Sequence, residues 1–274
     1  MYQIVIARKL QGRGIFVTED RNEPNVAPTP TPDGRIEERP VILGRKLAAK
    51  ERRTLLEVRN KMKDHFGGTE CHISPTAKGG GSIEGLCMAC PVCYTHGGLR
   101  SGKGGNYGHA GIVLYDDAFS FGDSEIENLT LNAVDTKTYR TGTALATETF
   151  LYGGTFINVI TIKHDAKEVL DLILDSILST NSYGARTRHY GRMKNEIIAI
   201  LEGERPVLTS YELIGKSETM ESAKQNVINL ANKKGAKLID IPDINSKSHK
   251  EIMLAVDRLP EVQEWYREVK SYLG

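Results

Sequence analysis

The chain has 274 residues, of which 39% are hydrophobic and 26% are charged, as in an ordinary folded protein. A net charge of +1 excludes a protein that is acidic or basic throughout, although the charges are clustered along the chain. No apolar run reaches the roughly 18 residues that a membrane-spanning helix needs. The first eight residues lack a charged leader followed by an apolar core, so they are not a secretion signal and predict a cytoplasmic protein.

The N-terminal region predicts strands at Tyr2–Ala7 and Gly14–Thr18, where apolar and β-branched residues are concentrated. The stretch from Glu23 to Gly34 is rich in proline, and one valine is its sole core-forming residue. Such a composition favours a mobile, extended loop. We place the limits of this loop at residues 20–43.

A basic amphipathic helix is predicted over Arg45–Lys63. Its nineteen residues contain eight lysines and arginines but two acidic residues, Glu51 and Glu57. A charge run is often no more than a solvated face. So large an excess of cations nevertheless favours a polyanionic partner. The candidate contacts on this helix are Arg45, Lys46, Arg52 and Arg53.

All four cysteines lie in a glycine-rich segment, residues 65–110, as Cys71 and then Cys87, Cys90 and Cys93. Two successive C-x-x-C spacings bring three sulfurs to one side of a tight turn, as a tetrahedral metal requires. A segment so rich in glycine cannot form its own hydrophobic core, so a bound ion would have to hold it together. The sequence therefore predicts an inserted structural zinc site.

The same cysteines could serve other roles. A disulfide is disfavoured because cysteines so close in sequence rarely reach bridging geometry. An iron–sulfur cluster stays open, although the downstream Cys-Pro of ferredoxin motifs is missing, and so do free structural thiols. The fourth ligand is expected to be Cys71, with His72 and His96 as alternatives. A complete set of protein ligands would make the zinc structural rather than catalytic.

Beyond the cysteines, the pattern predicts alternating strands and helices, with an exposed polar arm at residues 134–150. Asp165 and Glu168 form a capping-box pattern at the start of one helix. The final residues, 214–274, predict a helical layer. Its helices start near Glu218, after Ser248, where Glu251 completes a capping box, and at Pro260, and Gly235 ends the first of them. The predicted strands and helices are Gly111–Tyr115, Glu127–Ala133, Phe156–Lys163, the helix Asp165–Thr180, Glu196–Leu201, Val207–Leu213, the helix Glu218–Lys234 and Lys237–Ile241.

A second cationic stretch, Ser182–Asn195, lies between the helix and the strand that follows it. It contains no acidic residue. Arginine guanidinium groups bind phosphate oxygens, tyrosine rings stack on bases, and glycines let the backbone approach a phosphate closely. An exposed basic loop without a partner is the alternative, but two independent cationic elements favour nucleic acid. The candidate contacts in this loop are Tyr183, Arg186, Arg188, Arg192 and Lys194.

Without the insertions, the order of elements is β-α-β-β-α-β, which predicts an α+β, ferredoxin-like or RNA-recognition-motif-like (RRM-like) core. The loop at 20–43, the zinc-binding insertion at 65–110, the arm at 134–150 and the helices of 214–274 are then additions to one domain. In this topology the first and last strands lie close together in the sheet. The two cationic elements are therefore expected to face one groove.

The cysteine run, the segment Glu127–Ala133 and above all the segment Tyr183–Asn195 resemble the backbone subunit of type I-D CRISPR surveillance (Cascade) complexes, from the RAMP superfamily. The resemblance runs from Arg45 to Leu201. It implies an RRM-like, non-enzymatic protein that binds single-stranded CRISPR guide RNA with little sequence specificity. It also implies assembly in multiple copies along that RNA, together with other effector subunits and, through the guide, target nucleic acid.

The same resemblance implies roles for particular residues. The four cysteines match the metal ligands of the family. The basic helix and the glycine–arginine loop match its RNA-binding elements. The residues matched in those two elements are Lys46, Arg52, Arg53, Arg186, Arg188 and Arg192.

Two other functions stay open at this point. Backbone subunits of related type III complexes cut target RNA with a loop aspartate, so a metal-dependent endoribonuclease is the first alternative. Its candidate residues are Asp117, Asp123 and Asp135. The second alternative is a zinc-stabilised protein-interaction domain that binds no RNA.

Overall fold

The computed structural model describes residues 1–16, 25–75, 83–102 and 105–273, and within them the chain forms a mixed α+β fold with antiparallel sheets. No helix in these ranges is long and apolar enough to cross a membrane. The strands are β1 Tyr2–Leu10, β2 Arg13–Gly14, β3 Val26–Pro30, β4 Ile36–Ile42, β5 Ser74–Pro75, β6 Ile83–Glu84, β7 Gly98–Gly102, β8 Gly105–His109, β9 Val113–Tyr115, β10 Ala118–Ser120, β11 Glu125–Val134, β12 Thr141–Tyr152, β13 Thr155–Ile162, β14 Met193–Glu202 and β15 Lys237–Ile239. The helices are α1 Gly44–Lys61, α2 Pro91–His96, α3 Lys167–Ser179, α4 Ser210–Ile214, α5 Met220–Lys234, α6 His249–Asp257 and α7 Pro260–Leu273, with short 3-10 helices at Lys63–Phe66 and Ile244–Ser246.

The main sheet has the strand order β15-β14-β1-β13-β10-β4-β3, and β9 also pairs with β13. Strand β1 lies in the interior of this sheet and pairs antiparallel with β13 on one side and β14 on the other. The first and last strands of the predicted core are thus direct neighbours, as the sequence led us to expect. The near-continuous burial of β1 fits a strand covered on both faces.

Helices cover both faces of this sheet. On one face, Ile4 and Ile6 of β1 pack in a core that includes residues of α1, α3, α6 and α7. On the other face, Val5 belongs to a core that includes residues of α4 and α5. Because successive side chains of a strand point to opposite faces, one apolar strand supplies both cores. Both faces of β1 are therefore covered by helices.

A smaller sheet lies at the end of β1. Strands β11 and β12 form a long hairpin, and β2 adds to it through the pairs of Leu151 with Gly14 and Tyr152 with Arg13. Because β2 follows β1 directly, the chain passes from the centre of the main sheet into this smaller one. The predicted arm, residues 134–150, lies within the outer part of this hairpin.

The prediction of a mobile loop over residues 20–43 is wrong for the residues that the structure describes. Strands β3 and β4 pair in register from Val26 opposite Pro40 to Pro30 opposite Ile36. The prolines that argued against a strand are tolerated because β3 is at the edge of the sheet, where a missing N–H costs little. Residues 20–24 of the predicted loop, and 17–18 of the predicted second strand, lie outside the described ranges.

Two further local predictions are wrong. The segment Val207–Leu213 does not form a strand, because the side chain of Thr209 accepts a hydrogen bond from the backbone N–H of Glu212 and starts helix α4. Helix α3 begins at Lys167 after Ala166, and no side chain caps it, so the capping box at Asp165 is absent. By contrast, Ser248 and Glu251 do form the predicted capping box of α6.

Candidate metal centre and nucleic-acid interface

The four cysteines converge in one buried cluster. The sulfur atoms of Cys71, Cys87, Cys90 and Cys93 lie within 4.8 Å of one another. The Sγ of Cys93 is 3.5 Å from that of Cys71 and 4.0 Å from that of Cys87. A tetrahedral zinc ion with bonds of about 2.3 Å requires sulfur separations of about 3.8 Å, so the donor set fits such an ion.

The chemistry of the cluster also fits a cation. Hydrogen bonding to Cys71 lowers the pKa of Cys87, whereas burial raises the pKa of Cys90. Several thiolates cannot ionise together in a buried site unless a positive charge compensates them. The described residues contain no other group of three or more histidine, cysteine or acidic side chains placed to hold a metal.

The two alternative ligands lie elsewhere. The side chain of His72 is exposed and packs over Gly85. The Nδ1 of His96 lies 2.9 Å from the Thr95 hydroxyl, and burial lowers the pKa of His96 to about 3. The structure therefore groups Cys71, and neither histidine, with the other three cysteines.

Helix α1 supports the cysteine segment directly. The side chain of Asn60 bonds both the backbone N–H and the carbonyl of Cys71. Arg52 donates to the carbonyl of Gly97, and Arg59 donates to that of Thr69. We therefore no longer count Arg52 among the candidate RNA contacts, because its guanidinium already donates to the protein backbone. Arg45 and Arg53 are exposed, and Lys46 is half-buried.

A buried polar network joins α1 to β1 and to the second cationic stretch. Arg8 of β1 forms an ion pair with Glu51 of α1 at 2.8 Å, and both side chains are fully buried. The hydroxyl of Tyr183 donates to Glu51 at 2.8 Å and accepts from Arg8 at 3.0 Å. Asn195 and Asn158 complete the network through further bonds to Tyr183 and Arg8.

The predicted role of Tyr183 as a stacking platform for bases is wrong, because its ring is 0% exposed. Burial raises its pKa, so the hydroxyl remains protonated and can donate to Glu51. Sequence reasoning missed Arg8 and Glu51. The sequence held a hint of each: Arg8 directly follows the apolar run of β1, and Glu51 is an acidic residue within a basic helix.

The remaining cations of Ser182–Asn195 lie at the surface. Arg188 and Lys194 are exposed, Arg192 is exposed and donates to the Asn181 side chain, and Arg186 pairs with Glu148 of the hairpin. Arg186 has a φ of 51°, which is uncommon for a residue with a side chain.

The two cationic elements are adjacent. Besides the bond between Tyr183 and Glu51, the hydroxyl of Thr180 donates to that of Thr54 at 2.8 Å. Helix α1 therefore packs against the start of the cationic loop, and the prediction that the two elements face one groove stays a prediction.

The aspartates considered for a ribonuclease have structural contacts. Asp117 accepts the backbone N–H of Gly44 at the start of α1. Asp123 accepts the N–H of Thr155, and Asp135 accepts those of Lys137 and Thr138 in the hairpin turn. Each carboxylate thus fixes a turn or a helix start.

The fold and sites define an α+β protein that combines a cysteine cluster of metal-binding geometry with two adjacent cationic elements. A model of the Csc2 CRISPR family matches residues 1–273, so the chain belongs to this family. No curated protein sequence matches the chain.

Solved structures share the fold at low sequence identity. The crystal structure of Thermofilum pendens Csc2 is 20% identical with a TM-score of 0.68, and the match covers 98% of this chain and 89% of that one. A CRISPR RNA-guided surveillance complex in a pre-nicking state contains a chain that is 10% identical, with a TM-score of 0.51 and coverage of 93% and 99%. Another RNA-guided surveillance complex gives 12% identity, a TM-score of 0.50 and coverage of 92% and 98%.

Proposed function

We propose that this protein is a backbone subunit of a type I-D CRISPR surveillance complex, of the RAMP superfamily, and binds single-stranded guide RNA. The observation that carries the proposal is the packing of the basic helix α1 against the loop Ser182–Asn195. A single strand crossing this junction would meet cations from both elements. Its other partners would be further copies of this chain, the remaining effector subunits and, through the guide, the target strand. Such complexes assemble on RNA in the cytoplasm.

The core is proposed to be RRM-like. Strands β1, β9, β13 and β14 with helices α1 and α3 follow each other as β-α-β-β-α-β, and the spatial order β14-β1-β13-β9 supports this assignment. Many RRM proteins bind RNA on an open sheet face. Here helices cover both faces, so the RNA is proposed to follow the strand ends.

The RNA contacts proposed from the sequence are revised by the structure. The exposed cations and the half-buried Lys46 remain candidates. Tyr183 and Arg52 instead form hydrogen bonds within the protein, to Glu51 and to the carbonyl of Gly97. The candidates are Arg45, Lys46, Arg53, Arg186, Arg188, Arg192 and Lys194.

The metal is proposed to be one structural zinc ion held by Cys71, Cys87, Cys90 and Cys93. Because four sulfurs fill its coordination sphere, the ion supplies rigidity rather than catalysis. The four ligands connect the end of α1 to the start of α2, so the ion would fix the insertion against the basic helix. The protein is accordingly proposed to act without enzymatic activity.

The test is RNA binding across a salt series. Anisotropy with a labelled single-stranded RNA should give an affinity that falls steeply with salt, since phosphate contacts release counterions. The double variant Arg188→Gln/Arg192→Gln should lower affinity at least about tenfold and reduce the salt slope by about 1.4, or 0.7 per lost contact. Incubation with Mg²⁺ should leave the RNA intact.

The matched control is Arg205→Gln. Arg205 is exposed and follows the far end of β14, a ten-residue strand that spans roughly 30 Å. It should bind RNA like the parent protein. A parent protein that binds no RNA at low salt, or prefers duplex, would contradict the proposed function.

A further inference from the structure

The segment of residues 12–15, which includes β2, forms backbone hydrogen bonds to both the hairpin and the cationic loop. On the hairpin side, the N–H of Gly153 donates to the carbonyl of Gly12 at 2.7 Å. On the loop side, Gly191 donates to the carbonyl of Arg13 at 2.8 Å and Ala185 donates to that of Ile15 at 2.9 Å. The position of Arg13 is therefore set by backbone bonds to both neighbours.

The guanidinium of Arg13 lies against two aromatic rings that also contact each other. Its central carbon is 4.9 Å from the ring centroid of Phe150 in β12 and 4.8 Å from that of Tyr190 in the loop. These two rings meet edge to face at 5.0 Å. The guanidinium donates one long hydrogen bond, of 3.4 Å, to the hydroxyl of Tyr152. An arginine guanidinium has five N–H donors and binds a phosphate in bidentate fashion, so this single long bond leaves Arg13 with donors for a ligand.

Two lysines next to this junction point to the same kind of ligand. Lys9 of β1 is directly opposite Lys194 of β14 in the antiparallel register, and both are exposed. Like charges directly opposite each other destabilise a sheet. Within the described ranges, no ion pair joins Lys9, Lys194 or Arg13 to an acidic side chain. A bound anion would remove this repulsion.

Acidic groups near the junction are few and partly engaged. Glu148 pairs with Arg186, which leaves its charge compensated. Hydrogen bonding to Tyr152 raises the pKa of Arg13, with a smaller contribution from the Glu127 carboxylate. Glu127 is exposed and directly opposite Phe150 in the hairpin, and its single negative charge is smaller than the combined charge of Arg13, Lys9 and Lys194. The junction therefore suits an anionic ligand.

We infer that Arg13, together with the Lys9–Lys194 pair, forms a phosphate-binding site for single-stranded RNA at the junction of hairpin and loop. This inference rests on the proposed function and extends it, since it adds Arg13 and Lys9 to the RNA path. The strand would run from the surface of the cationic loop onto the ends of β1 and β14. Cations that contact the phosphodiester rather than a base carry no sequence information, so the site should show no sequence preference.

The experiment measures binding of a labelled single-stranded oligouridylate to the full chain over a KCl series. Arg13→Gln should weaken binding about tenfold and lower the salt slope by about 0.7, the value of one lost phosphate contact. Arg13→Lys keeps the charge but loses the bidentate guanidinium, so its affinity should lie between those of the parent and Arg13→Gln. Arg205→Gln is again the matched control.

The variant Lys9→Gln tests the site independently, because Lys9 is exposed and lies in β1, outside the segment whose backbone bonds position Arg13. It should also weaken binding severalfold without changing the melting temperature. Parent-like binding by Lys9→Gln and Arg13→Gln together would overturn the inference. If Arg188→Gln/Arg192→Gln still loses affinity in that case, the proposed function stands and this site alone fails. If the parent protein itself binds no RNA, both fail.

Discussion

At the residue scale, the buried pair of Arg8 and Glu51 is the feature on which the positions of α1 and the cationic loop depend. Both side chains are fully buried at a separation of 2.8 Å, and Tyr183 bonds to each of them. A buried charge left without its partner is strongly destabilising, whereas a hydrophobic pair of similar volume can replace an ion pair at little cost.

We therefore expect Arg8→Ala to lower the free energy of unfolding by about 3–5 kcal/mol in urea denaturation. The double variant Arg8→Met/Glu51→Leu removes both charges and should recover most of that loss. It would still disrupt the bonds to Tyr183, so its RNA binding should stay weaker than that of the parent. Equal stability of the single and double variants would show that the ion pair is not responsible.

A second prediction at this scale concerns Gly191. Its φ is 78°, and a Cβ placed there would lie 1.9 Å from the carbonyl oxygen of Tyr183. Gly191→Ala should therefore cost more than about 1 kcal/mol and displace the loop, with a lower melting temperature and weaker RNA binding. The control is Gly203→Ala, where the nearest atom is 3.6 Å away. Indistinguishable melting temperatures would refute the steric argument.

At the scale of elements, the cysteine cluster is coupled to the C-terminal helices. Tyr94, which follows Cys93 in α2, lies 5.5 Å from the ring of Trp265 in α7. His109 packs against the same tryptophan at 4.8 Å. The order of the cysteine segment should therefore control how α7 is docked.

Purified protein should contain about one zinc ion per chain by elemental analysis, and Cys90→Ser should lose it. The protein has one tryptophan, so its fluorescence reports on α7 alone. Chelation should shift the emission of Trp265 to longer wavelength as water reaches the ring. The Cys90→Ser variant should emit at this longer wavelength with or without chelator. An unchanged emission after verified zinc loss would contradict the coupling.

At the scale of the whole molecule, helices cover both faces of β1, and the proposed RNA path follows the strand ends next to the cationic loop. An RNA that follows such an edge continues past the protein, so further copies can bind along it. We expect the number of copies per RNA, measured by native mass spectrometry, to rise stepwise with the length of a single strand. A single copy on every length would contradict assembly along RNA.

The sequence alone predicted the elements whose signal is local. The apolar run of β1, the amphipathic pattern of α3, the capping box at Ser248 and the left-handed glycine after α5 all depend on near neighbours in the chain. The C-x-x-C spacing likewise indicated three ligands of one metal site. Such features are set by periodicity, backbone freedom and side-chain chemistry, which need no knowledge of distant residues.

Tertiary structure decided what depends on residues far apart in the chain. The prolines of β3 are tolerated because that strand lies at a sheet edge, and Tyr183 is buried because Arg8 and Glu51 meet its hydroxyl. Cys71 joins the other cysteines, rather than His72 or His96, because Asn60 holds its backbone. The contacts of Arg13 with Phe150 and Tyr190 join three distant segments. Only the folded chain sets these contacts, because each depends on burial and distance rather than on sequence spacing.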